Sequence, residues 1–166
     1  GQKIIFFNFC WDFLLYHQKN PANGIYVSII EEEELLNRIK TIKGLEPNVK
    51  IVIYFHWSFD LETLPFPAYR KFSKELIDAG ANLIVGCHSH CIQGGELYKD
   101  GLIVYGIGNF FVPWNAYVNG TMGYPEFSKH ELGVEWDLKL NQFKLHWFEI
   151  KGINLNTEIL YHGRTS

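Results

Sequence analysis

The chain has 166 residues, of which 47% are hydrophobic and 16% aromatic; this is enough apolar material for one folded domain and excludes intrinsic disorder as its overall state. Its 15 basic and 18 acidic residues leave a formal charge of −3, so the composition offers no attraction to phosphate backbones and we expect no nucleic-acid partner. The 3 cysteines exclude a disulfide scaffold, and no apolar run approaches the ~18 residues that a membrane span needs.

The first part of the chain predicts strands that alternate with helices. Short apolar runs are typical of buried strands, and apolar residues spaced three to four apart predict helices. Ser28 and Glu31 have the spacing of a capping box, so we expect them to begin the first helix, which ends near Gly44. In chain order the predicted elements are a strand at 3–9, a helix at 31–44, a strand at 49–55, a helix at 68–79 and a strand at 82–86, with irregular segments at 10–27 and 106–129.

Antiparallel strands are predicted for the rest of the chain. Residues 96–98 and 102–105 predict a hairpin, and the alternation of apolar and polar residues over 132–140 predicts a half-buried strand that pairs with 143–151. In the last of these strands we expect His146 to face solvent, whereas the tail beyond it is weakly patterned. We therefore predict one α/β layered domain over the whole chain, 1–166, with a largely parallel core and antiparallel additions.

Two inner strands end at histidines. His56 closes one strand, and His88 and His90 lie just after the next. Because ligands bind beyond the carboxyl ends of the strands in an open α/β sheet, three imidazoles at this edge can converge on a metal ion. Neutral imidazole is a good ligand for divalent Mn, Fe, Ni and Zn. A His-X-His sequence points both rings to one side only if its backbone is extended.

Other roles for these residues stay open at this point. Each histidine can instead be a strand-end residue whose ring bonds main-chain carbonyls. Cys87 and Cys91 flank the histidine pair and offer thiolate ligands, although small buried thiols are common and we expect no thiolate ligation. Asn109 follows Gly106 and Gly108, and it can hold a loop or support a ligand.

A series of short motifs runs from residue 49 to residue 110. In chain order they are His56-Trp57, Ile77-Asp78-Ala79-Gly80-Ala81-Asn82, Gly86-Cys87-His88-Ser89-His90, Gln93-Gly94 and Gly108-Asn109-Phe110. Their order and spacing resemble the capsule-biosynthesis CapA family, also called the poly-γ-glutamate biosynthesis family, whose domain belongs to the calcineurin-like metallophosphoesterases. The resemblance implies packed β-sheets flanked by helices, with metal ions at the strand ends.

The resemblance also implies roles for individual residues. His56 matches the family's single-histidine metal motif, and His88 and His90 match its paired-histidine metal motif. The implied cofactor is one or more divalent ions of the Mn, Fe or Zn type, and the implied chemistry is phosphoester hydrolysis by a hydroxide held between two metal ions. The residues expected beside these ligands, or in the loops that carry them, are Asn109, Trp57 and Cys87.

This sequence departs from the family pattern at several positions. The family's glycine after His-Trp is Ser58 here, and Asp60-Leu61 stands where Glu-Tyr often follows. Cys87 replaces a frequent histidine, and Ser89 replaces proline. The family's upstream motifs, a first aspartate and an Asn-His pair, are missing. We therefore expect the chain to be the C-terminal part of a CapA-like protein, with Gly1 where the C-terminal half begins.

The missing motifs limit what these residues can do by themselves. Three neutral histidines can bind one divalent ion, but they cannot neutralise and bridge two. Further carboxylates must then come from a missing N-terminal segment or from a partner chain. Asp60 and Glu62 are the nearest local carboxylates, and we expect both to be surface-loop residues. No residue of this chain is singled out as catalytic.

Three functions follow from these observations. The leading interpretation is part of a metal-dependent phosphoester hydrolase. The alternative is a non-catalytic protein of the same fold that binds or helps transfer an anionic polymer such as poly-γ-glutamate. The third interpretation is that the chain is a truncated product whose exposed sheet edge causes it to form a homo-oligomer. A targeting segment can precede Gly1, so the sequence is compatible with a cytoplasmic or a membrane-associated location.

Overall fold

A computed structural model shows a mixed α/β protein with a parallel-dominated sheet flanked by helices, which confirms the predicted fold class. The structure describes residues 1–11, 28–29, 31–109, 123–151 and 156–164, so most of both predicted irregular segments lies outside the described residues. Within the described part of the chain, neither helix is long and apolar enough to span a bilayer. The elements in chain order are β1 (Ile4–Cys10), α1 (Glu32–Leu45), β2 (Lys50–His56), α2 (Pro67–Ala79), β3 (Leu83–Cys87), β4 (Gly95–Tyr98), β5 (Gly101–Val104), a short 3-10 helix (Glu126–Lys129), β6 (His130–Asp137), β7 (Gln142–Lys151) and β8 (Asn156–Arg164).

The chain divides into two compact units. The prediction of one domain over residues 1–166 is not tested by this division and stays a prediction. The first unit comprises Gly1–Trp57, Phe66–Gly86 and Glu96–Ile103, and the second comprises Ser58–Pro65, Cys87–Gly95 and Val104–Ser166.

Five strands form the larger sheet, in the order β1-β2-β3-β5-β4. β1 and β2 run parallel, in a register that ends with Cys10 opposite His56. Ile51, Ile53 and Phe55 of β2 are fully buried, as expected for a strand inside a parallel sheet. The neighbouring β4 and β5 confirm the predicted hairpin.

The first helix begins one residue later than predicted and lacks the predicted capping box. Glu31 is the N-cap residue and makes no side-chain cap hydrogen bond. The carbonyl of Ser28 instead accepts a hydrogen bond from Cys10 N at 2.7 Å, because this segment runs beside the end of β1. The prediction of a capping box is therefore wrong. The acidic first turn still complements the positive end of the helix dipole.

The second helix has the start and stop residues that its sequence indicates. Pro67 lies in the first turn, and Gly80 follows the last residue with a φ of 120°, a value that favours glycine. α1 and α2 pack against each other, and Ile39 and Leu76 from their inner faces are fully buried. The helices thus cover the sheet with the apolar stripes that the sequence predicted.

An aromatic stack fixes the end of β2. Trp57 is fully buried, and its ring lies 4.5 Å from that of Phe55 and 4.7 Å from that of Tyr69. Such pairs contribute about 0.5–1.5 kcal/mol each beyond the burial of their surface. The stack therefore holds the residues at the end of β2 in place within the first unit.

The second unit contains an antiparallel sheet in the order β6-β7-β8. The predicted pairing of β6 with β7 is confirmed, but β6 ends at Asp137 and not at Leu140, because Asp137 Oδ1 accepts the N–H groups of Lys139 at 2.8 Å and Leu140 at 3.0 Å and closes a turn. β8 was not predicted, because its residues show only weak alternation and form a strand by pairing with β7.

The expectation that His146 faces solvent is wrong. Its side chain is 16% exposed, and Nε2 lies 2.9 Å from Glu135 Oε2 on the neighbouring strand β6. Glu135 also accepts a hydrogen bond from Lys144 at 2.8 Å. Glu135 and Lys144 lie beside the histidine on the same face, and alternation along one strand does not reveal such cross-strand contacts.

Candidate metal centre

The turn after β3 carries two of the predicted ligands. His88 and His90 both have positive φ angles, 97° and 54°, on either side of the buried Ser89. The backbone is therefore not extended here, so the condition under which a His-X-His sequence places both rings on one side is not met. The turn nevertheless brings the imidazole rings together, with centroids 6.0 Å apart. Left-handed backbone costs about 1–2 kcal/mol at a non-glycine residue, and such strain is typical of functional sites.

A second loop, residues 58–65, is fastened to this turn by hydrogen bonds. Leu61 N donates to Ser89 O at 2.8 Å. Gln93 Nε2 donates to Glu62 O at 2.9 Å, and Gln93 is almost completely buried. Hydrogen bonds shielded from water in this way are stronger than exposed ones. The two loops therefore form one local structure.

Asp60 brings a carboxylate from this loop to the two histidines. Its Oδ1 lies 3.4 Å from His88 Nε2 and 3.9 Å from His90 Nε2, and one ligand atom of each residue lies within 4.8 Å of the others. Two ligands that each bind an ion at about 2.1 Å in tetrahedral geometry are about 3.4 Å apart. The three donors thus have the spacing of a single metal site. Asp60 is 60% exposed, as a surface-loop residue should be, but its carboxylate also belongs to this group.

The ring of His90 is oriented by Asn109 and Tyr124. His90 Nδ1–H donates to Asn109 Oδ1 at 2.5 Å, and Asn109 Nδ2 donates to the His90 carbonyl at 3.3 Å. The second bond sets which end of the amide faces the ring, and this assigns the imidazole proton to Nδ1. The Tyr124 ring lies against that of His90, with centroids 5.0 Å apart. His90 Nε2, the atom near Asp60, keeps its lone pair, as a metal ligand requires.

Partial burial favours the neutral form of His88. Its pKa is lowered from the ordinary value of 6.5, chiefly because burial disfavours the charged imidazolium. The negative charge of Asp60 opposes this shift, and the nearby His90 adds to it. His88 is therefore unprotonated at neutral pH, which is the form that binds a metal ion.

The third predicted ligand, His56, lies in the first unit. It ends β2, and its carbonyl accepts a hydrogen bond from Trp11 N at 3.0 Å. The described group of donors comprises Asp60, His88 and His90, so the role of His56 as a ligand stays a prediction. The same holds for the role of Trp57 beside the ligands, since the structure places Trp57 in the aromatic stack described above.

All three cysteines are free thiols. Cys87 is the last residue of β3 and is half-buried. Cys91 is buried; its thiol donates to Glu62 O at 3.1 Å, and burial raises its pKa. The expectation that no thiolate binds the metal stays a prediction.

Comparison with known proteins identifies the family. Residues 1–113 match the family described as "Bacterial capsule synthesis protein PGA_cap". The chain belongs to this bacterial capsule synthesis family. Over 60 residues it is 40% identical to "Capsule biosynthesis protein CapA" of Bacillus anthracis and 35% identical to "PGA biosynthesis protein CapA" of Bacillus subtilis (strain 168). Each match covers 36% of this chain but only 15% and 16% of the respective relatives, so the chain spans a small part of their length.

Membership of the capsule synthesis family confirms the resemblance drawn from the motifs, and the structure explains two departures from the family pattern. Ser58 stands where the pattern has glycine, and its φ of 79° is the kind of backbone that favours glycine. The Ser58 hydroxyl accepts a hydrogen bond from Gln93 Nε2 at 2.8 Å, which offsets part of the strain. Asp60 stands where glutamate often follows, so a carboxylate is kept on a shorter side chain.

The sequence did not predict Asp60 as a ligand, nor Tyr124 as a residue that contacts His90. Asp60 stands where the family pattern often has glutamate, and this shared carboxylate could have indicated that Asp60 is a candidate ligand. Tyr124 has no comparable signal, because 34 residues separate it from His90 and only the fold brings them together.

Proposed function

We propose that this chain carries part of the metal site of a CapA-like protein, and that the intact protein is a metal-dependent hydrolase of phosphoesters. The observation that supports this proposal is the group formed by Asp60, His88 and His90. Two neutral imidazoles and one carboxylate are a mixed nitrogen and oxygen donor set, which suits Mn, Fe or Zn. The donors therefore fit the cofactor that the family resemblance implies.

The charges at this group favour an anionic substrate. Asp60 offsets one of the two charges of a divalent ion, and the neutral histidines offset none, so a net positive charge remains to attract a phosphate oxygen. A divalent ion held by Asp60, His88 and His90 would lower the pKa of bound water and polarise the phosphoryl group. The chain's own contribution is to hold the ligands, through the hydrogen bond that the His90 ring donates to Asn109 and the one that Leu61 N donates to Ser89 O.

We also propose that the site is completed by other residues of the intact protein. A second ion needs further carboxylates, which a segment beyond this chain or a partner chain would supply. His56 is proposed as an additional imidazole ligand. These proposals rest on the family resemblance and on the small number of carboxylates in the described group.

Metal titration of the intact protein tests the proposal. We expect His88→Ala and Asp60→Asn to lower Mn²⁺ affinity in isothermal titration by about 10-fold or more, since each removes one ligand. Glu62→Gln is the matched control, because Glu62 lies in the same loop and uses its main-chain carbonyl for its described hydrogen bonds. Equal affinities for the wild type, Asp60→Asn and Glu62→Gln would contradict the assignment.

The alternative proposal is a non-catalytic role in binding or transferring an anionic polymer. It is favoured by the name of the Bacillus subtilis relative, which refers to PGA biosynthesis. The formal charge of −3 offers a polyanion no net attraction, whereas a bound metal ion would supply a local positive charge. Metal-dependent binding of poly-γ-glutamate without turnover of phosphoesters by the metal-loaded intact protein would favour this alternative over the hydrolase.

A further inference from the structure

A buried carboxylate lies close to the residues that support His90. Glu131 of β6 is fully buried, and within the part of the chain that the structure describes neither of its carboxylate oxygens has a hydrogen-bond partner. Burial raises its pKa from 4.5 to about 7. An ionised carboxylate without a partner is costly to bury, so Glu131 is stable in this position only with its proton. Most buried polar groups are paired, and an unpaired one calls for an explanation.

Glu131 is in close contact with the segment that carries Asn109. Gly108 has a φ of 86°, and a Cβ at this position would lie 3.2 Å from Glu131 Cα and Cγ. The main chains are joined next to this contact, where Leu132 N donates to Ile107 O at 2.9 Å. Gly108 directly precedes Asn109. A displacement of Glu131 would therefore be passed to Gly108 and, across one peptide bond, to Asn109, whose side-chain amide orients His90.

No charged side chain among the described residues faces Glu131 directly. Its opposite residue on β7 is Phe148, and the contact from the 106–109 segment is Gly108. The charged groups further along the same face of the sheet are Glu135 and its partners Lys144 and His146. The protonation of Glu131 is thus governed by burial, which is the sole cause of its shifted pKa.

We propose that Glu131 is a proton-controlled switch for the metal site formed by Asp60, His88 and His90. With its proton, Glu131 lets β6 close against Gly108 and keeps Asn109 on His90. When it releases the proton to solvent, the carboxylate draws in water, the contact with Gly108 loosens and His90 loses its fixed orientation. Metal affinity then falls. This inference rests on the proposed metal site, but the switch itself can be observed without metal.

The first test follows His90 in the metal-free intact protein by long-range ¹H–¹⁵N NMR between pH 6.5 and 8.5. We expect the Nδ1-protonated form to dominate at low pH and to give way to mixed tautomers at high pH in the wild type. Glu131→Gln, which mimics the protonated acid, should keep the Nδ1-protonated form throughout. Glu135→Gln, on the same strand, should behave as the wild type. Identical His90 spectra for the wild type at both pH values would overturn the proposal without need of any variant.

The second test measures Mn²⁺ affinity by isothermal titration at pH 7.0 and 8.5, where an ordinary imidazole, with a pKa of about 6.5, is largely neutral. We expect Glu131→Gln to bind Mn²⁺ about 5–10-fold more tightly than the wild type at pH 8.5, the lower range of coupling between sites. Equal affinities would overturn the switch. Absence of Mn²⁺ binding by every protein, with the NMR result as expected, would instead contradict the proposed metal site and leave the switch standing.

Discussion

Asn109 and His90 are joined by two hydrogen bonds, one from the ring Nδ1 to the Asn109 carbonyl oxygen at 2.5 Å and one from the Asn109 amide to the His90 main chain at 3.3 Å. The pair fixes both the tautomer and the direction of the ring. It thereby converts a histidine on a strained turn into a ligand whose lone pair faces Asp60.

This pair predicts a specific effect of Asn109→Ala. Loss of the amide removes the orientation of His90, and residues that orient a metal ligand typically contribute 10–100-fold to metal affinity. We expect a loss of about 10-fold in Mn²⁺ affinity, measured by isothermal titration of the intact protein. Asn37→Ala, at an exposed position of α1, is the control and should bind as the wild type. An unchanged affinity of Asn109→Ala would show that His90 needs no such support.

The backbone strain at Ser58 predicts an order of stability. Ser58→Gly relieves the positive φ of 79° but removes the hydrogen bond from Gln93, whereas Ser58→Ala removes the bond and keeps the strain. We expect the alanine variant to be less stable than the glycine variant by about 1 kcal/mol in urea denaturation. Equal stabilities, or the reverse order, would mean that this conformation is not strained.

Close packing at Gly106 predicts a destabilising substitution. A Cβ there would lie 2.6 Å from Ser89 Oγ and 2.9 Å from Cys91 O, inside the turn that carries both histidines. We expect Gly106→Ala to reduce the free energy of unfolding by about 1–3 kcal/mol, as overpacking does. Gly44→Ala is the control, since no atom lies within 4 Å of its added Cβ. If thermal unfolding places both variants at the wild-type stability, the turn is less tightly packed than the structure shows.

Glu131 predicts a pH dependence of stability. Its pKa is about 7 in the folded protein and 4.5 ordinarily, so between these values the folded state binds more protons than the unfolded state. Stability therefore falls as pH rises from about 4.5 to about 7 and then levels off. The pKa difference corresponds to about 3 kcal/mol at full ionisation.

Urea denaturation across this pH range measures how much of the free energy of unfolding depends on the ionisation of Glu131. The Glu131→Gln variant should lack this decrease in stability with rising pH, and it should be more stable than the wild type above neutral pH. Glu135→Gln, which changes an exposed carboxylate of the same strand, should keep it. If the stability of Glu131→Gln depends on pH as that of the wild type does, then ionisation of Glu131 in the wild-type protein costs little stability.

The sequence predicted the elements whose stability comes from local patterns. β2 is a continuous apolar run, and α2 has proline at its start and glycine after its end, so both are visible without tertiary context. The two histidines after β3 were also placed correctly at a strand end. β8 could not be predicted in this way, because its strand conformation depends on pairing with β7.

The composition of the candidate site was harder to predict because it depends on loop geometry. Asp60 lies near the histidines in a loop that hydrogen bonds, such as the one from Leu61 N to Ser89 O, join to the histidine turn. Positive φ angles at His88 and His90 bring the two rings together without an extended backbone, a geometry that the motif does not indicate. Such contacts are determined by the closure of the fold, and periodicity in the sequence carries no record of them.

The central claim is that Asp60, His88 and His90 bind one divalent ion. The most direct measurement is anomalous diffraction at the Mn edge from crystals of the intact protein grown with Mn²⁺. The account predicts a peak about 2.0–2.3 Å from Asp60 Oδ1, His88 Nε2 and His90 Nε2 alike. A peak bound elsewhere, or no peak between these three atoms in crystals that contain the ion, would contradict it.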